Sequence, residues 1–256
     1  MKKSKILVPA VALLALSTAA ATTGTVAWFT TNTKVRAESV IMSVDAARDL
    51  RISDNHSSYD WKTALSWTDN VNNAMPVAAI DGTASNVVAL LGDVTTQTNV
   101  TSVGFVKPHT DNVIKADGTA TTPLDTGNMI GKFVDVDLGT STDVIKHDYA
   151  LRYVGTETNA TVSFKITVGS TAQADINEAF RVGIVDASSA QKKFTAYKLT
   201  GYADSTYTLN LSNLTLQNAT PYNLTIYTWY EGTDPKCINQ YAVSQPLTVK
   251  IAHELV

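Results

Sequence analysis

The sequence predicts an all-β fold, a jelly-roll-like antiparallel β-sandwich with long loops and at most a short helix. In the second half of the chain, short segments alternate apolar and polar residues, and the clearest example places Val162, Phe164, Ile166 and Val168 on one side. A two-residue period sends alternate side chains to opposite faces of a sheet. Gly, Pro and Asn residues separate these segments at intervals typical of a sandwich.

The N-terminus has the pattern of a secretory signal peptide. A basic tip precedes an apolar run at residues 6–16, and small residues follow it. Residues 19–21 and 25–27 both fit the cleavage rule, and we expect the second to be used, so that the mature chain begins at Trp28. An uncleaved anchor is the alternative, but the run is about half the ~20 residues that span a bilayer.

Composition limits the classes of partner. The chain carries 20 basic and 23 acidic residues, and the mature part has no block of like charge. Neither nucleic acid nor an anionic membrane is therefore an implied partner. Cys237 is the single cysteine, so packing rather than disulfides must stabilise the fold. We expect a secreted protein without stable membrane insertion after cleavage.

The domain prediction has three parts: a signal peptide at 1–27, an N-terminal segment at 28–40 and one β-sandwich domain at 41–256. At the start of that domain, alternation within 37–52 predicts two strands or one long bent strand, with a helix over 44–50 as the alternative.

The next stretch, 54–73, is polar and predicts a loop. It carries Trp61 and Trp67, which either pin the loop to the body or form a platform for carbohydrate.

Turn and strand signals continue through the middle of the chain. Asp81-Gly82 predicts a turn within the small apolar stretch 77–91, and 100–106 predicts a strand that Pro108 closes. The span 109–131 has little to bury and predicts a long surface excursion or a hairpin extension.

The later part of the chain is more regular. Asp175 and Glu178 favour one helical turn over 172–180. Period-two alternation predicts strands at 132–138, 144–154, 160–168, 180–187, 194–199, 207–211, 222–230 and 247–251.

No motif for catalysis occurs, and the sequence predicts a protein that is not an enzyme and needs no cofactor. The four histidines are scattered, at His56, His109, His147 and His253, without the His-Glu-x-x-His pattern of a zinc peptidase. No Gly-x-Ser-x-Gly elbow occurs, and Cys237 has no neighbouring His in the sequence.

Calcium is a weaker alternative. Oxygen ligands could come from Asp135 and Asp137 with Asp143 and Asp148, or from Glu231 with Asp234. Asp135 and Asp137 fit better as the outward face of a strand.

Two segments carry a family resemblance. Gly24-Thr25-Val26-Ala27-Trp28-Phe29-Thr30-Thr31-Asn32 resembles the leader junction of TasA-type biofilm fibre subunits and camelysin-like proteins, which a signal peptidase of the SipW type cleaves. Trp229-Tyr230-Glu231-Gly232-Thr233-Asp234-Pro235-Lys236-Cys237 resembles the W-x-E-G-x-D-P-x-C segment of exported fibre-like β-proteins. The two segments bracket the mature chain.

The resemblance implies a structural subunit of an extracellular filament, in a biofilm matrix or surface fibre. Such subunits form head-to-tail homopolymers by donor-strand exchange, in which the N-terminal segment of one subunit adds a strand to its neighbour. The implied assembly residues are Trp28, Phe29, Val35 and Val40. The alternative is a monomeric adhesin or carbohydrate-binding module, and a secreted hydrolase ranks third.

Overall fold

The structure is a computed structural model that describes the chain in several stretches. They are residues 40–46, 49–54, 56–69, 76–92, 96–108, 133–169, 178–186, 188, 192–200, 202–203, 206–232, 234, 237 and 247–256. The predicted signal peptide, the surface excursion at 109–131 and most of the helical turn at 172–180 lie outside the described residues.

The described residues form strands joined by turns, with a helical pair of residues at Glu178 and Ala179. This confirms the prediction of an all-β fold. The strands are β1 Val40–Ala46, β2 Leu50–Ser53, β3 Ala64–Asp69, β4 Ala78–Thr83, β5 Asn86–Leu90, β6 Thr96–Val100, β7 Val103–Pro108, β8 Phe133–Asp135, β9 Val144–Tyr153, β10 Asn159–Gly169, β11 Phe180–Asp186, β12 Lys192–Lys198, β13 Thr206–Gln217, β14 Tyr222–Tyr230 and β15 Leu247–Leu255.

These strands form three sheets. The first has the order β13-β10-β15-β1-β3, the second β2-β9-β14-β11-β12-β6 and the third β5-β4-β7-β8. Neighbouring strands are antiparallel except β1 and β15, which run parallel. The two ends of the described domain therefore lie side by side in the five-stranded sheet.

The larger core lies between the five-stranded and six-stranded sheets. In β10, Val162, Phe164, Ile166 and Val168 are all buried in this core, whereas Lys165 is exposed. This confirms the face assignment made from the alternation. The inward side chains of β14 and β11 line the opposite wall of the same core.

The four-stranded sheet covers the other face of the six-stranded sheet, a second packing layer that the sequence did not predict. Along β14, Leu224 and Ile226 belong to the larger core, while Tyr227 and Trp229 belong to a second core. Phe105 of β7 meets the Trp229 ring edge-on at 5.1 Å. The six-stranded sheet is thus the middle layer, which explains why seven consecutive residues of β14 are buried.

Gly183 in β11 makes this second core possible. A Cβ atom at that position would lie 2.8 Å from both the Phe194 and the Trp229 ring. Any side chain there would therefore displace one of two large aromatic groups.

Three predictions for the first half were wrong in detail. Within 37–52, the described residues include β1 and most of β2, but the 54–73 stretch contains β3 and is not only a loop. The predicted turn at Asp81-Gly82 lies inside β4, and the chain turns two residues later. The carboxylate of Asp81 instead accepts the N–H groups of Thr101 and Ser102, each at 3.0 Å.

That contact accounts for the third error. The predicted strand 100–106 is broken between β6 and β7, which belong to different sheets. Asn99 has a left-handed φ of 62°, and Asp81 holds the corner that follows it. A buried carboxylate 20 residues away therefore redirects a chain that local alternation would extend.

His253 lies in the larger core, 1% exposed, between the rings of Tyr149 and Phe164. Neither ring nitrogen has a hydrogen-bond partner among the described residues. Burial lowers the pKa of His253 from 6.5 to about 3. Between pH 6.5 and about 3, the imidazole is therefore neutral in the folded protein, whereas in the unfolded chain it would be protonated.

This burial predicts an acid-sensitive fold. Between pH 6.5 and about 3, the unfolded state binds a proton at His253 that the folded state does not. The free energy of unfolding should therefore fall as pH decreases through that window, by about 1.4 kcal/mol per pH unit from this group. Above pH 6.5, His253 should not affect the pH dependence of stability. His253→Phe should remove this part of the slope in urea titrations from pH 7 to 4.

Ile251→Val is the matched control, because Ile251 is buried in the same core, on the same strand as His253, and carries no titratable group. Its slope should follow that of the unmodified protein. Equal slopes for the unmodified protein and His253→Phe would contradict the burial argument.

Candidate functional site

The segment Trp229–Cys237, here called the C-terminal motif, begins in the last residues of β14 and joins two sheets. The Tyr230 carbonyl accepts the N–H of Val77 at 3.0 Å, and the Gly232 N–H donates to the Val77 carbonyl at 2.7 Å. Val77 directly precedes β4 of the four-stranded sheet. The motif therefore lies at the junction of the six-stranded and four-stranded sheets.

Glu231 is buried at this junction, with 2% of its surface exposed. Its carboxylate accepts the indole N–H of Trp229 at 2.9 Å and the backbone N–H of Ala79 at 3.5 Å. Gly92 packs directly against it, since a Cβ there would lie 2.1 Å from the Glu231 Oε2 atom. The Trp-x-Glu part of the motif is thus one internally bonded unit.

Asp234 forms the second unit, with two cations on one carboxylate oxygen. Arg181 Nη2 lies at 2.6 Å and Lys198 Nζ at 2.8 Å from Asp234 Oδ2. Arg181 also donates to the carbonyls of Gly92, at 3.0 Å, and Glu178, at 2.6 Å. Its guanidinium is consequently committed to groups of its own domain.

Sequence reasoning missed Arg181. It lies 53 residues before Asp234, and no local motif connects the two. One signal was present: Arg181 is the charged residue within the buried run of β11, and a buried arginine needs a partner. Only the pairing of β11 with β14, which sets Arg181 opposite Trp229, brings it to the motif.

Cys237 ends the motif and is fully buried. Its N–H donates to the Asp234 carbonyl at 3.0 Å. Burial raises the pKa of the Cys237 thiol, and the carboxylates of Glu231 and Asp234 raise it further. A thiol held neutral in this way is a packing group and a poor nucleophile.

Both tryptophans of the 54–73 stretch are held by ring contacts. Trp61 stacks on Tyr59 at 4.9 Å, and the Arg152 guanidinium lies 4.3 Å from its ring centroid. Trp67, on β3, stacks on the His147 ring at 4.4 Å. Trp67 also packs against the larger core. These contacts agree with the interpretation that the tryptophans pin this stretch to the body.

The carboxylates considered for calcium each have protein donors. Asp135 accepts the Ala84 N–H at 2.7 Å, and Asp137 accepts groups of its own turn. Asp143 binds Lys107, and Asp148 accepts from the Thr225 hydroxyl. Within the described residues, no three His, Cys, Asp or Glu side chains come together as a metal site.

Of the predicted assembly residues, Trp28, Phe29 and Val35 lie outside the described residues. Val40 is the first residue of β1, opposite Leu247 of β15 on one side and Asp69 of β3 on the other. Strand pairing on both sides means that Val40 belongs to the domain itself. The pairing contradicts the prediction that Val40 is part of an N-terminal segment at 28–40.

In the stretches that the structure describes, no helix is both long and apolar enough to cross a membrane. Neither a protein-family model nor a curated protein sequence matches this chain. Among solved structures, the enzymatically active domain of tailspike protein 4 from bacteriophage CBA120 aligns with 82% of this chain, at 8% identity and a TM-score of 0.24. This chain spans 20% of that one, and a similarity this low identifies neither fold nor activity.

Breaking the buried ion pair should be costly. Asp234→Asn leaves the Arg181 charge buried without a counter-charge, so we expect the free energy of unfolding to fall by about 3–5 kcal/mol. Asp60→Asn is the matched control, since Asp60 is exposed and pairs with exposed Lys62. Urea denaturation should show little change for the control, and equal effects would contradict a structural role for the motif.

Cys237 should be unreactive in the folded protein, because its thiol is buried and neutral. A thiol reagent should label it only after denaturation, at the rate of global unfolding. Cys237→Ser should lower the free energy of unfolding by about 1–3 kcal/mol, since it buries a hydroxyl where a thiol packed. Stoichiometric labelling of the native protein within seconds would instead indicate an accessible thiolate.

Proposed function

We propose that this chain is a structural subunit of an extracellular protein filament, exported by its leader and polymerised head to tail by donor-strand exchange. The proposal includes that the protein is not an enzyme. It joins the resemblance of the leader junction and the C-terminal motif to the physical role of that motif in the domain.

The observation that supports it best is that both carboxylates of the motif are buried and bonded to other groups of the domain. Glu231 binds Trp229, and Asp234 binds Arg181 and Lys198. A reaction centre needs a group that can reach a substrate, whereas Glu231 binds Ala79 of the four-stranded sheet and Arg181 binds Gly92, which follows that sheet's β5. Buried hydrogen bonds and ion pairs of this kind would suit a subunit that carries mechanical load along a fibre.

The proposed donor is the segment 28–39, which precedes the described domain. An extended segment that pairs with a sheet edge gains main-chain hydrogen bonds worth about 1 kcal/mol each. Burial of Trp28 and Phe29 would add about 1.5–3 kcal/mol per side chain. Because the contact joins different surfaces of successive subunits, it does not close on itself and generates a fibre.

Deleting residues 28–36 from the secreted mature protein should abolish fibres while the domain stays folded. The deleted segment carries both proposed aromatic anchors, and the described domain begins at Val40. Electron microscopy would score fibres, and circular dichroism would score the fold.

A finer test replaces both Trp28 and Phe29 with Ser, and a matched control replaces Thr30 and Thr31 with Ser. The first pair should prevent polymerisation, and the second should not. Fibres from the deleted protein would place the donor elsewhere, and unfolding of that protein would make the segment an internal strand. A mature protein that stays monomeric would contradict the proposed function.

A further inference from the structure

Two arginines face each other across β2 and β9, at one side of the six-stranded sheet. Arg51 of β2 is the antiparallel partner of Arg152 of β9. Their neighbours along the strands, Leu50 and Leu151, are buried in the larger core. The two arginine side chains therefore lie on the other face of the sheet, with Cβ atoms about 5 Å apart. Like charges placed directly opposite destabilise a strand pair, so this pair needs a reason.

No ion pair joins either of these arginines to a carboxylate among the described residues. The Arg51 Nη1 atom donates to the carbonyl of the preceding residue, Leu50, at 2.6 Å. The Nε atom of Arg152 is buried, and no described group accepts its hydrogen bond. Arg181 differs, because it binds the Asp234 carboxylate and three backbone carbonyls. The Arg51–Arg152 pair thus keeps donors for an anion from outside the described domain.

The two carboxylates of the stretch that follows β2 are paired with a different cation. Lys62 Nζ lies 3.1 Å from a carboxylate oxygen of Asp60 and 3.9 Å from one of Asp54. The backbone of Lys62 exchanges two hydrogen bonds with that of Ile52, at 2.9 and 2.7 Å, which fixes this stretch beside β2. The stretch therefore lies next to the arginine pair, while its acidic groups bond Lys62.

The same stretch places two aromatic rings beside the arginines. The Arg152 guanidinium lies 4.3 Å from the ring centroid of Trp61, which stacks on Tyr59 with the ring centroids 4.9 Å apart. The Tyr59 hydroxyl in turn lies 3.5 Å from the amide oxygen of Asn223. These five residues are all half-buried, so each keeps a part that solvent can reach. They form a strip of one amide, two rings and two guanidiniums, here called the basic–aromatic strip: Asn223, Tyr59, Trp61, Arg152 and Arg51.

Each part of the strip suits one part of an acidic sugar. Guanidiniums bind a carboxylate through paired hydrogen bonds, aromatic rings pack on the apolar side of a sugar ring, and an amide bonds hydroxyl groups. An acidic peptide would use the guanidiniums and leave the rings and the amide without a role. We propose that the basic–aromatic strip binds a carboxylate-bearing sugar unit of an acidic polysaccharide, with its carboxylate at Arg51 and Arg152. This site goes beyond the proposed function and does not depend on filament assembly.

Trigalacturonate is the probe, because each of its sugar rings carries one carboxylate. It is titrated into the purified secreted protein at low salt, and isothermal calorimetry measures the affinity. Its methyl ester is the matched ligand, since it keeps the rings and removes the charge. The acid should bind about tenfold or more tightly than the ester, because charged hydrogen bonds to the arginines are lost with the ester. Added salt should weaken the binding of the acid.

Substitution of the arginines locates the site. Arg51→Gln and Arg152→Gln should each lower the affinity for trigalacturonate by about tenfold or more. Lys165→Gln is the matched control, because Lys165 is an exposed cation on β10 of the five-stranded sheet, and it should bind within about twofold of the unmodified protein. Arg51→Gln should not lower the free energy of unfolding in urea, since it relieves the repulsion between the arginines. Lost affinity with retained stability distinguishes a ligand site from a structural pair.

Four results would overturn this site. They are equal affinity for the acid and its ester, unchanged affinity in both arginine variants, saturable binding of a triglutamate peptide without binding of trigalacturonate, and no saturable binding of any probe. A secreted protein that stays monomeric and binds trigalacturonate through Arg51 would support the site and contradict only the filament. Fibres that bind none of the probes would leave the filament standing without this site.

Discussion

The middle sheet is covered on both faces, and this constraint governs the rest of the domain. A strand such as β14 must then be apolar at consecutive positions, with Leu224 and Ile226 serving one core and Tyr227 and Trp229 the other. Where such a strand ends, its polar neighbours are still far from solvent and must be satisfied internally. Glu231 and Asp234 meet that need by bonding Trp229, Arg181 and Lys198.

This explains why a motif with several reactive residue types has a structural role. Arg181 and Asp234 are each less than 5% exposed, and removal of either would leave a buried charge. The neighbouring Cys237 thiol becomes less acidic through the same burial that strengthens the pair. Groups that would be chemically active at a surface are here fixed between two layers.

The interior and the edges therefore have different roles. The buried network joins the four-stranded sheet to the middle layer, whereas the five-stranded sheet ends in a long uncharged strand at its outer side. In the proposed filament, the buried network would resist shear within a subunit. His253 lies between these regions, on β15, and makes the larger core dependent on remaining dry and unprotonated.

The sequence by itself determined the fold class and the regular second half, because period-two alternation in β10 and apolar runs in β14 reflect burial that each strand experiences locally. It also located the Trp229–Cys237 motif. Only tertiary structure decided the third sheet, the break between β6 and β7, and the partners of that motif. Asp81 bonds residues 20 positions away and Asp234 binds an arginine 53 positions away, and contacts at such separations leave no periodic signal in the chain. The outer position of β13 among the described strands is of the same kind, since it depends on the order of all five strands.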